Sequence, residues 1–279
     1  MMKFREHDIC FDTPKVMGIL NVTPDSFSDG GQYSSLETAV QQARNMLEAG
    51  ASFIDVGGES TRPGALAVSL QEELDRVIPV IEALTKEMDV VVSIDTSKAQ
   101  VMTEAVQAGA SLINDVRALR NEGALAAAVM AANEFNVPSC LMHMQGEPQT
   151  MQKAPQYDGV VQQVTEFFIQ QITKCHEAGL DRKHILIDPG FGFGKTLNHN
   201  YQLLKHLQDF KQFDVPVLVG MSRKSMIGNL LNRDINQRLA GNIATATIAA
   251  LSGIGIIRVH DVGETMDAVN IVNKLQSLE

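Results

Sequence analysis

The sequence is poor in the features that commit a chain to covalent staples, metal clusters, membranes or polyanions. Among its 279 residues are three cysteines, Cys10, Cys140 and Cys175. They are odd in number and far apart, and no C-x-x-C or H-E-x-x-H spacing occurs. A disulfide framework and a zinc site are thereby disfavoured, and reduced thiols in a cytoplasmic protein are expected. Positive charge is also scarce: 23 Lys and Arg stand against 33 Asp and Glu, a formal net charge of −10. That balance argues against nucleic-acid or anionic-membrane surfaces, which need a positive field, so no nucleic acid and no membrane is expected as partner. Any anionic ligand must be gripped by a local cationic cluster. The N-terminal MMKFREHDIC carries charges where a signal peptide would be apolar, so no secretion is implied. The most apolar long segment, Asn242 to Val259, is broken by Thr245, Thr247, Ser252, Gly253 and Gly255. It reads as helix, turn and buried strand rather than as a membrane span.

What is present fits one globular domain over residues 1–279, with 44% hydrophobic and 20% charged residues and no low-complexity tract. Eight short apolar or β-branched runs bounded by turn residues recur: Val16 to Leu20, Phe53 to Val56, Val90 to Ile94, Leu112 to Ile113, Ser139 to Met142, Ile185 to Ile187, Val217 to Val219 and Ile256 to Val259. Between them lie segments of helical periodicity, among them Leu36 to Ala49, Leu70 to Met88, Val160 to Ala178, Gln237 to Leu251 and Glu264 to Leu275. Alternation of strand and helix implies parallel pairing, and eight repeats imply a closed (β/α)₈ TIM barrel with helices outside. The segment before Pro14 is expected to cover the barrel bottom, where the residues around Ala132 to Asn136 read as a helix-to-strand connection.

The apolar runs meet polar residues at their C-terminal ends: Asn21, Asp55, Asp95, Asn114 with Asp115, His143, Asp188, Ser222 to Lys224, and Arg258 with His260. This is the face on which barrel enzymes keep their chemistry. At any single position a polar residue serves equally well to solvate the strand end or to cap the next helix, a reading that applies to Asp95 and Asp188 too. Two long connections on the same face, Val22 to Ser35 and Gly58 to Ser69, are of the length at which loops tend to be functional.

The stretch Met17-Gly-Ile-Leu-Asn-Val-Thr-Pro-Asp-Ser-Phe-Ser-Asp-Gly-Gly31 resembles the first signature of the dihydropteroate synthase family of pterin-binding barrels. Gly57-Gly-Glu-Ser-Thr-Arg-Pro-Gly64 resembles the second. Ser93-Ile-Asp-Thr96, Ile113-Asn-Asp115, Leu141-Met-His-Met144, Asp188-Pro-Gly-Phe-Gly-Phe-Gly-Lys195, Ser222-Arg-Lys-Ser225 and Arg258-Val-His-Asp261 follow in the family's order, so the resemblance runs from about Val16 to the C-terminus. The glycine-rich run could pass for a phosphate loop, but Pro189 occupies the place of the required first glycine. A flexible turn letting Asp188 and Phe193 face a planar ligand is the better expectation.

The resemblance implies joining of a pterin methyl diphosphate to p-aminobenzoate with release of pyrophosphate. It assigns Asp188 to the amide-like edge of the pterin, which a carboxylate can accept through two parallel hydrogen bonds. Asp95, Asn114, Met142, Phe193 and Lys224 are its other pterin contacts. Arg258 and His260, after the last strand, with Asn21 and a Mg²⁺ for which Asn21 is the protein ligand, fall to the diphosphate. Phe27, Thr61, Arg62, Pro63, Lys224 and Ser225 fall to the arylamine, with the start of a helix expected over Ser225 to Leu231 supplying N–H groups. Arg62 and Arg223 add to the same cationic face.

Departure of diphosphate before attack is expected, because the electron-rich ring delocalises the charge left behind. Asp95 would stabilise that cation and Asp29 would help on closure. The weak arylamine nucleophile gains most from positioning, and binds second. A Schiff-base role for Lys224 is disfavoured by its anion-binding neighbours, which should keep the amine protonated. Two rivals are a pterin-dependent methyltransferase passing a methyl group to a corrinoid, which would not need the intact Ser60-Thr-Arg-Pro63 and Ser222-Arg-Lys-Ser225, and a non-catalytic pterin-binding paralogue. An intact arylamine pocket should admit sulfonamides. The family's habit implies a homodimer; the apolar final helices serve equally as interface or as barrel packing.

Overall fold

The computed structural model describes residues 1–23, 32–60, 68–146, 150–152 and 154–278, leaving out the side chains of 32–35. A short antiparallel hairpin, β1 (Met2–Phe4) with β2 (His7–Ile9), leads into β3 (Lys15–Asn21). The remaining strands are β4 (Phe53–Gly57), β5 (Val91–Asp95), β6 (Leu112–Asp115), β7 (Ser139–Met142), β8 (Ile185–Asp188), β9 (Leu218–Val219) and β10 (Ile256–Val259). Strands β3 to β10 form one eight-stranded parallel sheet, and a parallel bridge from Ile187 to Val217 closes it into the expected barrel. The helices are α1 (Gln32–Glu48), α2 (Leu70–Glu87), α3 (Ala99–Gln107), α4 (Ala124–Phe135), α5 (Val160–Glu177), α6 (Leu197–Lys205), α7 (Ser225–Leu231), α8 (Leu239–Leu251) and α9 (Val262–Gln276). None of the described helices is long and apolar enough to cross a membrane.

The differences from the sequence reading have simple causes. Four strands run on into Asn21, Asp95, Asp115 and Asp188, because a polar residue can extend the backbone ladder as well as an apolar one. Asp55 does not end its strand; it is the third of five residues in β4 and has no solvent exposure. Ala132 to Phe135 are the last turn of α4 rather than connection, and Asn136 ends it with φ 54°, a left-handed cap that asparagine tolerates. Helix α2 begins where Ser69 accepts from Glu72 N at 3.3 Å while Glu72 Oε2 accepts from Ser69 N at 3.0 Å, a reciprocal cap fixing the exit of the second long loop.

Strand pleating points alternate residues into the barrel. Met17, Phe53, Val91, Leu112, Cys140, Leu186, Leu218 and Ile256 form the lowest inward tier. Met2 and Phe4 of the hairpin close it from below, the Phe4 ring meeting Phe53 edge-on at 5.2 Å. The leading segment therefore covers the bottom as expected. Two residues further along, the inward positions turn polar: Asp55, Ser93, Asn114, Asp188 and Arg258. Two further, they include Asn21, Asp95 and His260 at the open end.

Candidate active site

Above the polar tier lies a cavity of about 620 Å³, whose lining includes Asn21, Asp95, Phe193, Lys224, Arg258 and His260. Ser225 lines it as well. Asn114, Met142 and Asp188, also expected at the site, are buried immediately around it rather than lining it. Phe27, Asp29, Thr61, Arg62 and Pro63 lie outside the described residues.

The floor is organised by Arg258. Its Nε donates to Asp55 Oδ2 at 2.5 Å and its Nη2 to Asp95 Oδ2 at 2.8 Å. Asn114 Nδ2 donates to the same Asp55 oxygen at 3.2 Å. Burial disfavours the charge of Arg258, but Asp55 and Asp95 outweigh it and push its pKa above the ordinary value. For Asp95 the balance falls the other way. Burial, with Asp55, Asp115 and Glu73 adding to it against the attraction of Arg258, raises its pKa to about 7. A carboxylate expected to be fully ionised is thus poised near neutrality. Gly57 makes room between the neighbouring strands: a methyl there would lie 3.7 Å from Asn21 Oδ1 and 3.6 Å from Asp95 Cβ.

On one side the lining residues Met151 and Phe193 pack with the buried Val116, Met142 and Met144 in an apolar cluster. Lys224 Nζ lies 4.6 Å from the Phe193 ring centroid and donates to Phe191 O at 2.5 Å. Burial lowers the pKa of this amine to about 8 despite Asp188, so anionic neighbours do not hold it at the ordinary lysine value, although it remains mostly charged at neutral pH. Asp188 Oδ1 accepts from Gly190 N at 2.8 Å. Burial raises its pKa, with Lys224, the Gly190 bond, Lys195 and Arg258 opposing.

The glycine-rich turn is closely packed against the neighbouring strand end. Gly190 and Gly194 have φ of 71° and 61°, and a Cβ on them would fall 1.9 Å from His143 O and 2.3 Å from Gln145 O. Tyr157 donates to Gly194 O at 2.9 Å, Asn200 Oδ1 accepts from Gly192 N at 2.7 Å, and Lys195 is buried beneath. Lys195 is therefore no phosphate ligand, in keeping with the failed P-loop pattern.

At the rim, His260 Nδ1 and Ser222 Oγ are hydrogen-bonded at 3.0 Å. Arg223, counted above among the cations of this face, lines the cavity as well and pairs with Asp261 at 2.5 Å. Asn242 holds that carboxylate from the other side at 2.9 Å. The φ of Arg223 is 59°, a turn conformation that carries its side chain to this pair.

Asp55, Ser222, Glu59, Met151 and Gln152 also build the site or its floor without having been assigned a ligand. An acid inside the apolar run Phe53-Ile-Asp-Val56 was the available signal for Asp55; none marked Met151 or Gln152. Among the described residues no three of His, Cys, Asp and Glu gather as metal ligands. One neutral amide oxygen beside Arg258 and His260 fits a magnesium ion only if the ion arrives with substrate phosphate oxygens, which is how magnesium is commonly held.

The comparisons agree with this geometry. The model of the family described as pterin binding enzyme matches residues 17–260. The dihydropteroate synthase of Escherichia coli strain K12 is 58% identical over 259 residues, covering 93% of this chain and 90% of that protein. Among solved structures, the Yersinia pestis dihydropteroate synthase with a sulfonamide drug complex superposes with a TM-score of 0.94 at 55% identity, covering 99% of each chain. The Xanthomonas albilineans dihydropteroate synthase with 4-aminobenzoic acid gives 0.89 at 49%, covering 96% of this chain and 95% of that one. With matches of this extent in both sequence and fold, the chain belongs to the dihydropteroate synthases, transferases of the pterin-binding enzyme family.

Proposed function

We propose that the site condenses 6-hydroxymethyl-7,8-dihydropterin diphosphate with p-aminobenzoate, and that the carbon–oxygen bond breaks before the amine attacks. The observation that carries this reading is Arg258 spanning Asp55 and Asp95 at the cavity floor. It sets a fixed cation and a poised carboxylate side by side, as separation of an anionic leaving group from a ring-stabilised cation requires. Asp188 and Asn114 read the pterin edge, while Met142 and Phe193 offer an apolar wall to its face. Arg258, His260 and Asn21 receive the diphosphate. Asn21 together with diphosphate oxygens would hold a Mg²⁺, which would supply neutralisation of the leaving group's charge. Lys224 and Ser225 stand on the side assigned to the arylamine, with Phe27, Thr61, Arg62 and Pro63 completing that pocket and Asp29 assisting on closure. No enzyme nucleophile is required, so Lys224 binds as an ammonium.

The X. albilineans relative with 4-aminobenzoic acid and the Y. pestis relative with a sulfonamide support an arylamine pocket that also admits sulfonamides. The decisive experiment mixes both substrates with Mg²⁺: dihydropteroate and pyrophosphate should form in equal amounts. Pterin binding without either product would reveal a non-catalytic paralogue.

We assign the chain to the cytoplasm, supported by three free cysteines, two of them buried. A homodimer is supported by exposed apolar residues on the neighbouring helices α8 and α9: Ile248, Leu251, Ile271 and Leu275. Sedimentation that shows a concentration-independent monomer would remove it.

A further inference from the structure

Lys195 is among the most buried ionisable groups of the protein, with 3% of its surface exposed. Its Nζ is enclosed by Gly190 O at 2.9 Å, Phe193 O at 3.0 Å, His143 O at 3.3 Å and His143 Nδ1 at 3.0 Å. An ammonium has three protons to donate, and four acceptors around it leave none without a partner. Burying a charge is costly, and a turn held for shape alone could be filled by an uncharged side chain. This amine ties the end of one barrel strand to the turn after the next. The turn it closes carries Phe193, whose N donates to Gly190 O at 3.1 Å, and Gly190 N in turn fixes Asp188 Oδ1 at 2.8 Å.

We propose that Lys195 is a positioning residue for pterin recognition: its enclosed ammonium holds the 190–194 turn so that Phe193 and Asp188 keep their places, and sets a positive charge behind Asp188 without touching the ligand. The inference rests on the pterin reading of the site.

The charged groups around Lys195 set the sign of its pH behaviour. Burial brings its pKa down to about 7, with Asp188 opposing and Lys224 adding to the fall, so about half of the amine is ammonium at neutral pH and nearly all of it at the acid pH where Asp188 titrates. His143 is lowered to about 2 by burial, then by Lys195 and Arg120, so it stays neutral and its Nδ1 accepts. His199 on α6 is likewise lowered by burial and then by Lys195. Since Lys195 opposes the upward shift of Asp188, removing it must push that carboxyl higher still. Pterin binding, which uses the ionised carboxylate, is then lost at a higher pH as the solution is acidified.

The test uses 6-hydroxymethylpterin as probe, titrated calorimetrically across pH. Lys195→Met should bind it about tenfold or more weakly at neutral pH, the range for a lost charged hydrogen-bonding group. Its acidic midpoint of binding should move upward, while KM for p-aminobenzoate at saturating pterin diphosphate stays near that of the wild type. Tyr157→Phe loosens the same turn at Gly194 O without removing charge, so its midpoint should not move. Unaltered pterin affinity in Lys195→Met overturns the proposal. So does a loss shared equally by both substrates with no shift of midpoint. Should Lys195→Met not fold, ¹⁵N resonances of lysine side chains in the wild-type chain decide. Saturation with the pterin favours the closed cage and should raise the Lys195 midpoint, by reciprocity of linkage, and an unmoved midpoint overturns the role. Failure of the wild type to bind the pterin at all would overturn the reading of the site, and the positioning role with it.

Discussion

Asp55 Oδ2 lies 2.5 Å from Arg258 Nε, so the arginine of the cavity floor is carried by a carboxylate that has no exposure to solvent. The same oxygen also accepts from Asn114, and Asp55 Oδ1 has no hydrogen-bond partner among the described residues. Asp55 thus orients Arg258 and Asn114 from within the same tier of the barrel.

Asp55→Asn should therefore lower both activity and stability. It leaves a largely buried guanidinium with Asp95 as its remaining carboxylate. Breaking a fully buried pair typically costs about 3 to 5 kcal/mol; Arg258 keeps one partner and some contact with water, which reduces the expectation to about 2 to 3 kcal/mol. Urea denaturation at pH 7 measures this, and a loss below about 0.5 kcal/mol would show that Asp95 alone suffices to hold the arginine.

Asp188→Asn should weaken a simple pterin by about 1.5 to 3 kcal/mol, because the amide turns one acceptor into a donor facing the ring's donors and removes the charge. Calorimetry with an unsubstituted pterin reads it directly. Wild-type affinity in the variant would withdraw Asp188 from the ring edge.

The pH profile of kcat/KM for the pterin diphosphate should be a bell. Asp95, raised to about 7, must ionise to stabilise a cation, so activity climbs through that pH. Lys224, lowered to about 8, loses its charge above it, so activity falls. Folding stability carries the complementary signs. A carboxyl whose pKa is raised binds more protons when folded, so its contribution declines as pH rises from about 4 to about 7. An amine whose pKa is lowered binds fewer, so its contribution improves from about 8 to about 10. Asp95→Asn should flatten the acid limb of activity. A limb that survives this change belongs to the substrate's diphosphate or to another group.

Bond breaking before attack makes pyrophosphate release independent of the incoming amine. With pterin diphosphate and Mg²⁺ alone, slow release should occur as water traps the cation. Asp95→Asn should slow it by roughly 3 to 4 kcal/mol in barrier without a matching loss of pterin affinity. Single-turnover measurements without arylamine decide. No release there, combined with a chemical rate that tracks amine basicity, would establish direct displacement.

The barrel was legible because each strand is an apolar run cut off by turn residues, and because polar residues meet the ends of those runs. Ser139–Met142 and Ile256–Val259 match their sequence bounds residue for residue. Side-chain partners were not legible in the same way. Lys195 finds His143 across 52 residues, and Arg258 finds Asp55 across 203, distances over which no local pattern speaks. Arg223 is a cation of the face as expected, but its partner Asp261, 38 residues away, was not legible. Asp55 was noticed as a polar strand residue but taken for a strand end, whereas the strand continues two residues beyond it.

Among the described residues, the hairpin that caps the lowest tier with Met2 and Phe4 closes the bottom of the barrel and leaves the cavity to open at the other end. Whatever sits deepest, at the level of Asp188, has to pass every later arrival on its way out. Traffic through such a dead-end shaft is last in, first out. A product made by joining a deep-seated ring to a rim-side ring is then withdrawn by its rim end, and an analogue that plugs the doorway imprisons whatever lies below it.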